Sequence, residues 1–437
     1  MGKSPKSLTP ESPTRRRLLK NAAAAAGGAA LVGASGAKAL LAADATQPPS
    51  APADSPPAVP PWSKSPGKGV GALPYGTPSR YEKDVVRRYV SWFTPSDLSS
   101  TNFTPLHALD GIVTPNGLCF SRCHNGVPDI DPAAHRLMIH GMVERPLLLT
   151  MEELRRFPAM SRMLFIECAA NSSMEWKGSL MAGVQYSHGM LSCCEYTGVK
   201  LSVLMEEVGV KPEAQWMLAE GADAALMDRS IPIAKAREDA ILAWSQNGEH
   251  LRPENGYPLR LLLPGWQGNM NVKWLRRLKF GDQPWETREE TSKYTDLMPD
   301  GTARQFTWVM EAKSVITSPS PEQPLKDEGF HEISGLAWSG RGKIARVDVS
   351  LDGGINWQNA VLGEPVLPQC LTRFRLPWRW TGDEALLQSR AMDETGYVQP
   401  TIAALRAVRG SNSGYHNNAI QTWRVNPSGE VENVQLD

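Results

Sequence analysis

Apolar and polar positions alternate cleanly in RLMIHGMV, residues 136–143, a pattern that predicts a strand with one buried face. TMEELRRF then reads as a short helix opened by Thr150, and PLRLLLPG as a fully buried strand that ends in a turn. In FIECAAN a short apolar run delivers a single cysteine, Cys168, to the start of a polar, glycine-punctuated loop. From Phe306 the texture changes to short alternating runs separated by turn signals. ARVDVSLDGGINW is a strand, a glycine-rich turn and a return strand, and SRAMDETGYVQP continues the series. The pattern predicts an α+β domain over 81–300 and an antiparallel β-sandwich over 301–437, with Trp338, Trp357, Trp378 and Trp380 in the sandwich core. No internal repeat of solenoid period is present.

The first 80 residues follow neither pattern. TRRRLLK at 14–20 precedes an alanine- and glycine-rich stretch from Ala22 to Gly36, with small residues for cleavage at Ala37-Lys38-Ala39 or near Ala42. This is the form of a twin-arginine export signal over 1–42, which places the mature protein in the periplasm. The bland alternative is a basic amphipathic helix. The apolar stretch is too short and too rich in glycine for a membrane span. Residues 43–80, rich in Pro, Ala, Ser and Gly, read as a linker or arm.

Removing the signal changes the charge. The whole chain carries 46 basic and 46 acidic residues; without 1–42, which holds seven basic and one acidic, 39 and 45 remain. A mildly acidic protein has no electrostatic footprint for nucleic acid.

Six cysteines are present: Cys119, Cys123, Cys168, Cys193, Cys194 and Cys370. A chain of this length has core enough to do without a disulfide framework. Cys193 and Cys194 are adjacent and pair with each other only under strain, which leaves buried free thiols or one long-range bridge. Cys119-Phe120-Ser121-Arg122-Cys123-His124 spells C-x3-C-H, one residue longer than the haem-attachment pattern C-x-x-C-H. A haem-bearing electron-transfer protein is therefore one reading of this stretch.

FSRCHNGVP, DPAAHRLMIHGMVERPLLLTMEELRRFP, FIECAAN and ENGYPLRLLLPGWQGNMNVKWL, in that order, resemble the sulfite oxidase family of molybdopterin enzymes. IHGMVERPL, NGYPLRLLLPGWQGN and TREETSKYTD point to its sulfane dehydrogenase branch. The likeness is close from Leu118 to Phe280 and continues through the sandwich, which resembles the family's immunoglobulin-like dimerisation domain.

The resemblance implies one molybdenum–molybdopterin per chain, with the Cys168 thiolate as metal ligand. The family's F-x-R-N-H is matched by Phe120, Ser121, Arg122, Cys123 and His124, with Cys123 in place of asparagine; backbone groups of this stretch are implied to hold the pterin, with Arg122 near the metal. Asp223 is implied as a hydrogen-bond partner of the pterin ring. Arg260 and Asn271, Val272 and Lys273 are implied at the pterin and its phosphate, and Asn255 replaces a histidine there. Arg375, or Arg373 if the alignment slips by a pair, is expected to reach the substrate pocket from the sandwich. Met227 stands where the family's tyrosine is expected, three residues before Ser230-Ile231-Pro232, so a pocket without that phenol is predicted.

The implied reaction is oxygen-atom transfer to sulfur, on a sulfane held by a sulfur-carrier protein or, alternatively, on free sulfite. The chain is expected to carry no haem. Electrons would pass to a c-type cytochrome subunit in a heterotetramer built on a homodimer.

Overall fold

The alternation at 136–143 becomes strand β2 (Arg136–Gly141), with Leu137 and Ile139 buried and Met138 exposed. This holds in a computed structural model that describes residues 78–90, 96–99 and 101–436. The signal assignment, and the linker assignment up to residue 77, lie outside the described residues. By its contacts the chain divides into Met1–Gly76 and Thr77–Asp437. The second unit is α+β followed by a β-sandwich.

Helix α1 (Met151–Leu154) starts where the sequence places it. Thr150 accepts the Glu153 N–H at 3.1 Å, and Glu153 accepts the Thr150 N–H at 2.8 Å, so two otherwise orphaned amides are satisfied reciprocally. Strand β3 (Leu147–Thr150) pairs with β2, and β2 runs parallel to β10 (Leu275–Gly281). Strands β6 (Trp216–Gly221) and β7 (Asp228–Pro232) complete that sheet in the order β3-β2-β10-β6-β7.

The second sheet is antiparallel. Its long hairpin joins β4 (Ala159–Glu167) to β5 (Leu191–Lys200) in unbroken register from Ala159↔Val199 to Glu167↔Leu191. Strand β8 (Ile241–Gln246) pairs with β5, and β9 (Arg260–Leu262) with β8. Between the sheets lie Leu137, Ile139, Met217, Leu242, Leu261 and Leu278.

In the sandwich, β11 (Lys313–Ser318), β12 (Gly329–Trp338) and β14 (Thr372–Trp380) form one antiparallel sheet. The other contains β13 (Ile344–Ser350), β15 (Ala385–Asp393), β16 (Thr422–Val425) and β17 (Val431–Val434). Trp338, Phe374 and Trp423 fill its core. Phe165, Leu191 and Cys193 of the β4–β5 hairpin belong to the same apolar cluster, so the sandwich packs directly on the strand that leads to Cys168. Trp378 and Trp380 are buried as expected, whereas Trp357 is only half-buried, its ring 4.2 Å beneath the Arg390 guanidinium. Among the described residues no helix is long and apolar enough to cross a membrane.

Candidate functional site

Cys168 follows the last residue of β4. Its N–H donates to Met190 O at 3.0 Å, and the backbone of Gly268 passes so close that a Cβ there would meet Glu167 O at 2.9 Å. Burial raises the Cys168 thiol pKa, against the lowering pull of an Ala170 backbone hydrogen bond and the Arg122 charge. A thiol in such a place becomes a thiolate through a metal rather than by exposure.

Cys168 opens on a cavity. One wall comes from β1 (Ser121–Arg122) and its flanks: Phe120, Ser121, Arg122 and His124. Asp223 and Met227, from the turn between β6 and β7, face it. Asn255, Arg260, Asn271, Val272 and Lys273 close the far end. Of the site residues singled out from the sequence, the structure brings all to this cavity except the side chains of Cys123, Arg375 and its fallback Arg373.

The far end holds charge that the protein leaves incompletely bonded. Arg260 is buried; Nη1 donates to Asn255 O at 2.8 Å and Nη2 to Asn271 O at 3.3 Å. Its Nε, and Asn255 Oδ1 beside it, are buried without a hydrogen-bond partner in the protein. Lys273 Nζ donates to Glu254 O at 2.9 Å and Arg122 O at 3.1 Å, and burial lowers its pKa. Buried groups of this kind fit a cofactor with a hydrogen-bonding ring and an anionic phosphate tail. Among the described residues no three His, Cys, Asp or Glu side chains cluster to hold a metal by themselves. A metal beside Cys168 would therefore take its remaining donors from a cofactor.

A wider opening shares Arg122, His124, Cys168 and Tyr294 with the cavity and adds Arg288, Lys293 and Tyr415. The His124 pKa is lowered to about 4, first by burial and then by Arg122, Lys273, Arg288 and Lys293. The same positive field favours an anionic substrate.

Two expectations change. Arg375 does not reach the cavity: it sits on the exposed side of β14, paired with Glu332 at 2.5 Å. The fallback, Arg373, is buried, donating to Thr317 Oγ1 at 3.1 Å and Gly111 O at 2.8 Å. Both are committed within the sandwich or its contact with the first domain. The side chain of Cys123 is not part of the lining. It is buried against Ser121 Oγ and Lys273 Nζ, each 3.4 Å away.

The second correction concerns the phenol. Met227 lines the cavity as predicted, but the site does not lack a tyrosine. Tyr294, just beyond the one-turn helix Arg288–Thr291, puts its Oη 3.2 Å from His124 Nε2, and burial pushes its pKa up. Its ring stacks on Tyr415 at 5.1 Å. The signal lay in TREETSKYTD, where Tyr294 is in plain view; looking only next to Ser230 missed it.

Two family models match: an oxidoreductase molybdopterin binding domain over residues 124–289 and a Mo-co oxidoreductase dimerisation domain over 304–423. The crystal structure of the sulfane dehydrogenase SoxCD from Paracoccus pantotrophus is similar at 57% identity and TM-score 0.85, covering 87% of this chain and 98% of that one. The sulfite oxidase of Gallus gallus is 31% identical, covering 68% of this chain and 70% of its own length. The NADH nitrate reductase of Ulva prolifera is 29% identical, covering 71% of this chain. This chain spans 41% of that nitrate reductase and 55% of the mitochondrial sulfite oxidase of Drosophila melanogaster.

Proposed function

Because the chain belongs to the sulfite oxidase family of molybdopterin oxidoreductases, we propose that it is the molybdenum subunit of a periplasmic sulfane dehydrogenase. The observation that carries this reading is the likeness to SoxCD over nearly the whole of that chain, with Cys168 and the Arg260–Lys273 group converging on one cavity. When bound, the cofactor supplies two-electron oxygen-atom transfer to sulfur.

The protein's own residues bind and orient. Arg260, Asn255, Asn271 and Lys273 would hold the phosphate end, Asp223 the ring, and Cys168 the metal. Arg122, with Arg288 and Lys293 farther out, draws an anionic sulfur group toward Cys168. His124, kept neutral, shares a proton with Tyr294 Oη at the rim. Electrons leave to a SoxD-like c-type cytochrome, and the sandwich joins two copies within a heterotetramer. The twin-arginine segment accounts for export after cofactor insertion. The bland packing of Cys119, whose Sγ lies 3.3 Å from Cys194 Sγ in the core, supports the reading without haem on this chain.

The substrate is a sulfane on a SoxYZ-like carrier, which the wide opening suits. A free sulfite dehydrogenase is the second reading, and Tyr294 favours it by restoring the hydrogen-bonding phenol. The deciding experiment measures molybdenum and the visible spectrum of the purified chain, then assays the reconstituted complex on both substrates. Molybdenum near one per chain, no Soret band, and turnover of the carrier-bound form are expected. High efficiency on free sulfite with none on the carrier would transfer the proposal to the second reading.

A further inference from the structure

Immediately before Cys168 stands an acid that the cavity does not use. Glu167 is fully buried, and so is Lys313, the first residue of β11 in the sandwich. Lys313 Nζ lies 3.0 Å from Glu167 Oε1 and donates to Ser172 Oγ at 2.9 Å. Trp338 Nε1, at the end of β12, donates to Glu167 Oε2 at 2.7 Å. Asn171 Nδ2 adds a bond to Glu167 Oε1 at 2.9 Å, while its Oδ1 accepts the Met190 N–H.

Two more groups from the same region grip the loop's backbone. The His416 N–H donates to Ala169 O at 2.8 Å, and Asn417 Nδ2 to Ser172 O at 3.1 Å. Ser172 itself is left-handed, at φ 64°, a conformation a serine keeps only when its surroundings hold it. The segment Glu167–Ser172 is therefore fastened by Lys313, Trp338, His416 and Asn417, all within the region matched as a dimerisation domain.

A buried ion pair is a poor source of stability, because desolvation cancels much of its attraction. What a fully bonded one does supply is a single geometry. We propose that Lys313 and Trp338 are positioning residues: the sandwich is a jig that fixes the Glu167–Ser172 loop and so aims Cys168 Sγ at the cofactor. This rests on the reading of Cys168 as the metal ligand.

The test uses the full-length chain in its cofactor-loaded complex, with three variants: Lys313→Met, the double variant Glu167→Gln with Lys313→Met, and Trp338→Phe. Each is measured for molybdenum content, for the visible thiolate-to-metal charge-transfer band, and for kcat and KM. Lys313→Met should keep its molybdenum, displace the band, and lower kcat by about 10–100-fold, the usual effect of losing an outer-shell partner, with KM nearly unchanged. The double variant strands no charge, so it should regain stability yet keep the displaced band. Trp338→Phe removes one hydrogen bond and should move the band less, in the same direction; it decides the matter if the charge variants fail to fold. Glu432→Gln, at a surface pair in the same sandwich, should change nothing.

A wild-type band and kcat in the double variant and in Trp338→Phe, with only the melting temperature altered, would overturn the inference. A band that survives Cys168→Ser would instead remove the ligand reading, and this inference with it.

Discussion

On its cavity side Cys168 shares a lining with Arg260 and Asn255, whose buried Nε and Oδ1 atoms find no partner in the protein. On its sandwich side Lys313 Nζ donates to Glu167 Oε1 and Ser172 Oγ, and Trp338 and Asn171 donate to the same carboxylate. Leaving a buried polar group unbonded costs about 1–3 kcal/mol. A ligand in the cavity would complete the bonding of Arg260 and Asn255, whereas the Glu167–Lys313 pair finds its partners within the protein. The contrast separates the face that receives from the face that supports.

The largest effect should come from the residue between the two faces. Cys168→Ser is expected to take turnover to background in a protein whose circular dichroism and melting are those of a folded chain; normal activity would break the comparison. Cys193→Ser, in the core and without assigned chemistry, should be far milder.

Next comes the receiving face. Arg260→Met should weaken cofactor retention by about 10–100-fold, measured as molybdenum remaining after dialysis. The cofactor-free protein should lose less stability than Lys313→Met, which strands Glu167 and should cost about 3–5 kcal/mol. Denaturant unfolding of the two variants compares them, and equal losses would erase the distinction.

The receiving face should also be sensitive to acid. His124 stays neutral in the fold down to about pH 4, because of burial and then the surrounding cations, whereas an unfolded histidine takes up its proton near 6.5. Between those values the unfolded state binds more protons, so stability falls as the pH drops through that window, by an amount on the order of 1–3 kcal/mol. His124→Gln should reduce the slope of unfolding free energy against pH; an unchanged slope would assign the acid sensitivity elsewhere.

Tyr294→Phe removes one hydrogen bond at the rim, and since such a bond contributes about 0.5–1.5 kcal/mol, kcat should fall by no more than about tenfold with molybdenum content unchanged. Smallest of all is Arg375→Gln. Its pair with Glu332 is exposed, worth about 0–1 kcal/mol, and activity should be indifferent to it.

What the sequence made legible were features written in neighbouring residues. The Thr150–Glu153 cap and the alternation of β2 follow from local pattern, and the grouping of Arg122, Arg260 and Lys273 with Cys168 from the family resemblance that contiguous motifs carry. Tyr294 and Lys313 were not legible. Tyr294 meets His124 across 170 positions, and no spacing rule connects them. Lys313 opens a strand in which a lysine reads as solvent-facing, and only its distant partner Glu167 makes its burial tolerable. Arg375 shows the opposite error: a cation near a suitable motif, turned outward by the alternation of β14.

The parallel pairing of β2 with β10 has a consequence for how the protein is made. Strand Arg136–Gly141 cannot receive this neighbour until Leu275–Gly281 has left the ribosome, so the sheet waits on a contact distant in sequence. Lys273 lies just before that late strand, and the chamber it helps to close is completed by the same event. A nascent chain stopped before residue 275 should accordingly show rapid amide exchange in β2. Cofactor loading then has to follow the emergence of that strand, with no earlier stage of synthesis at which the chamber is whole.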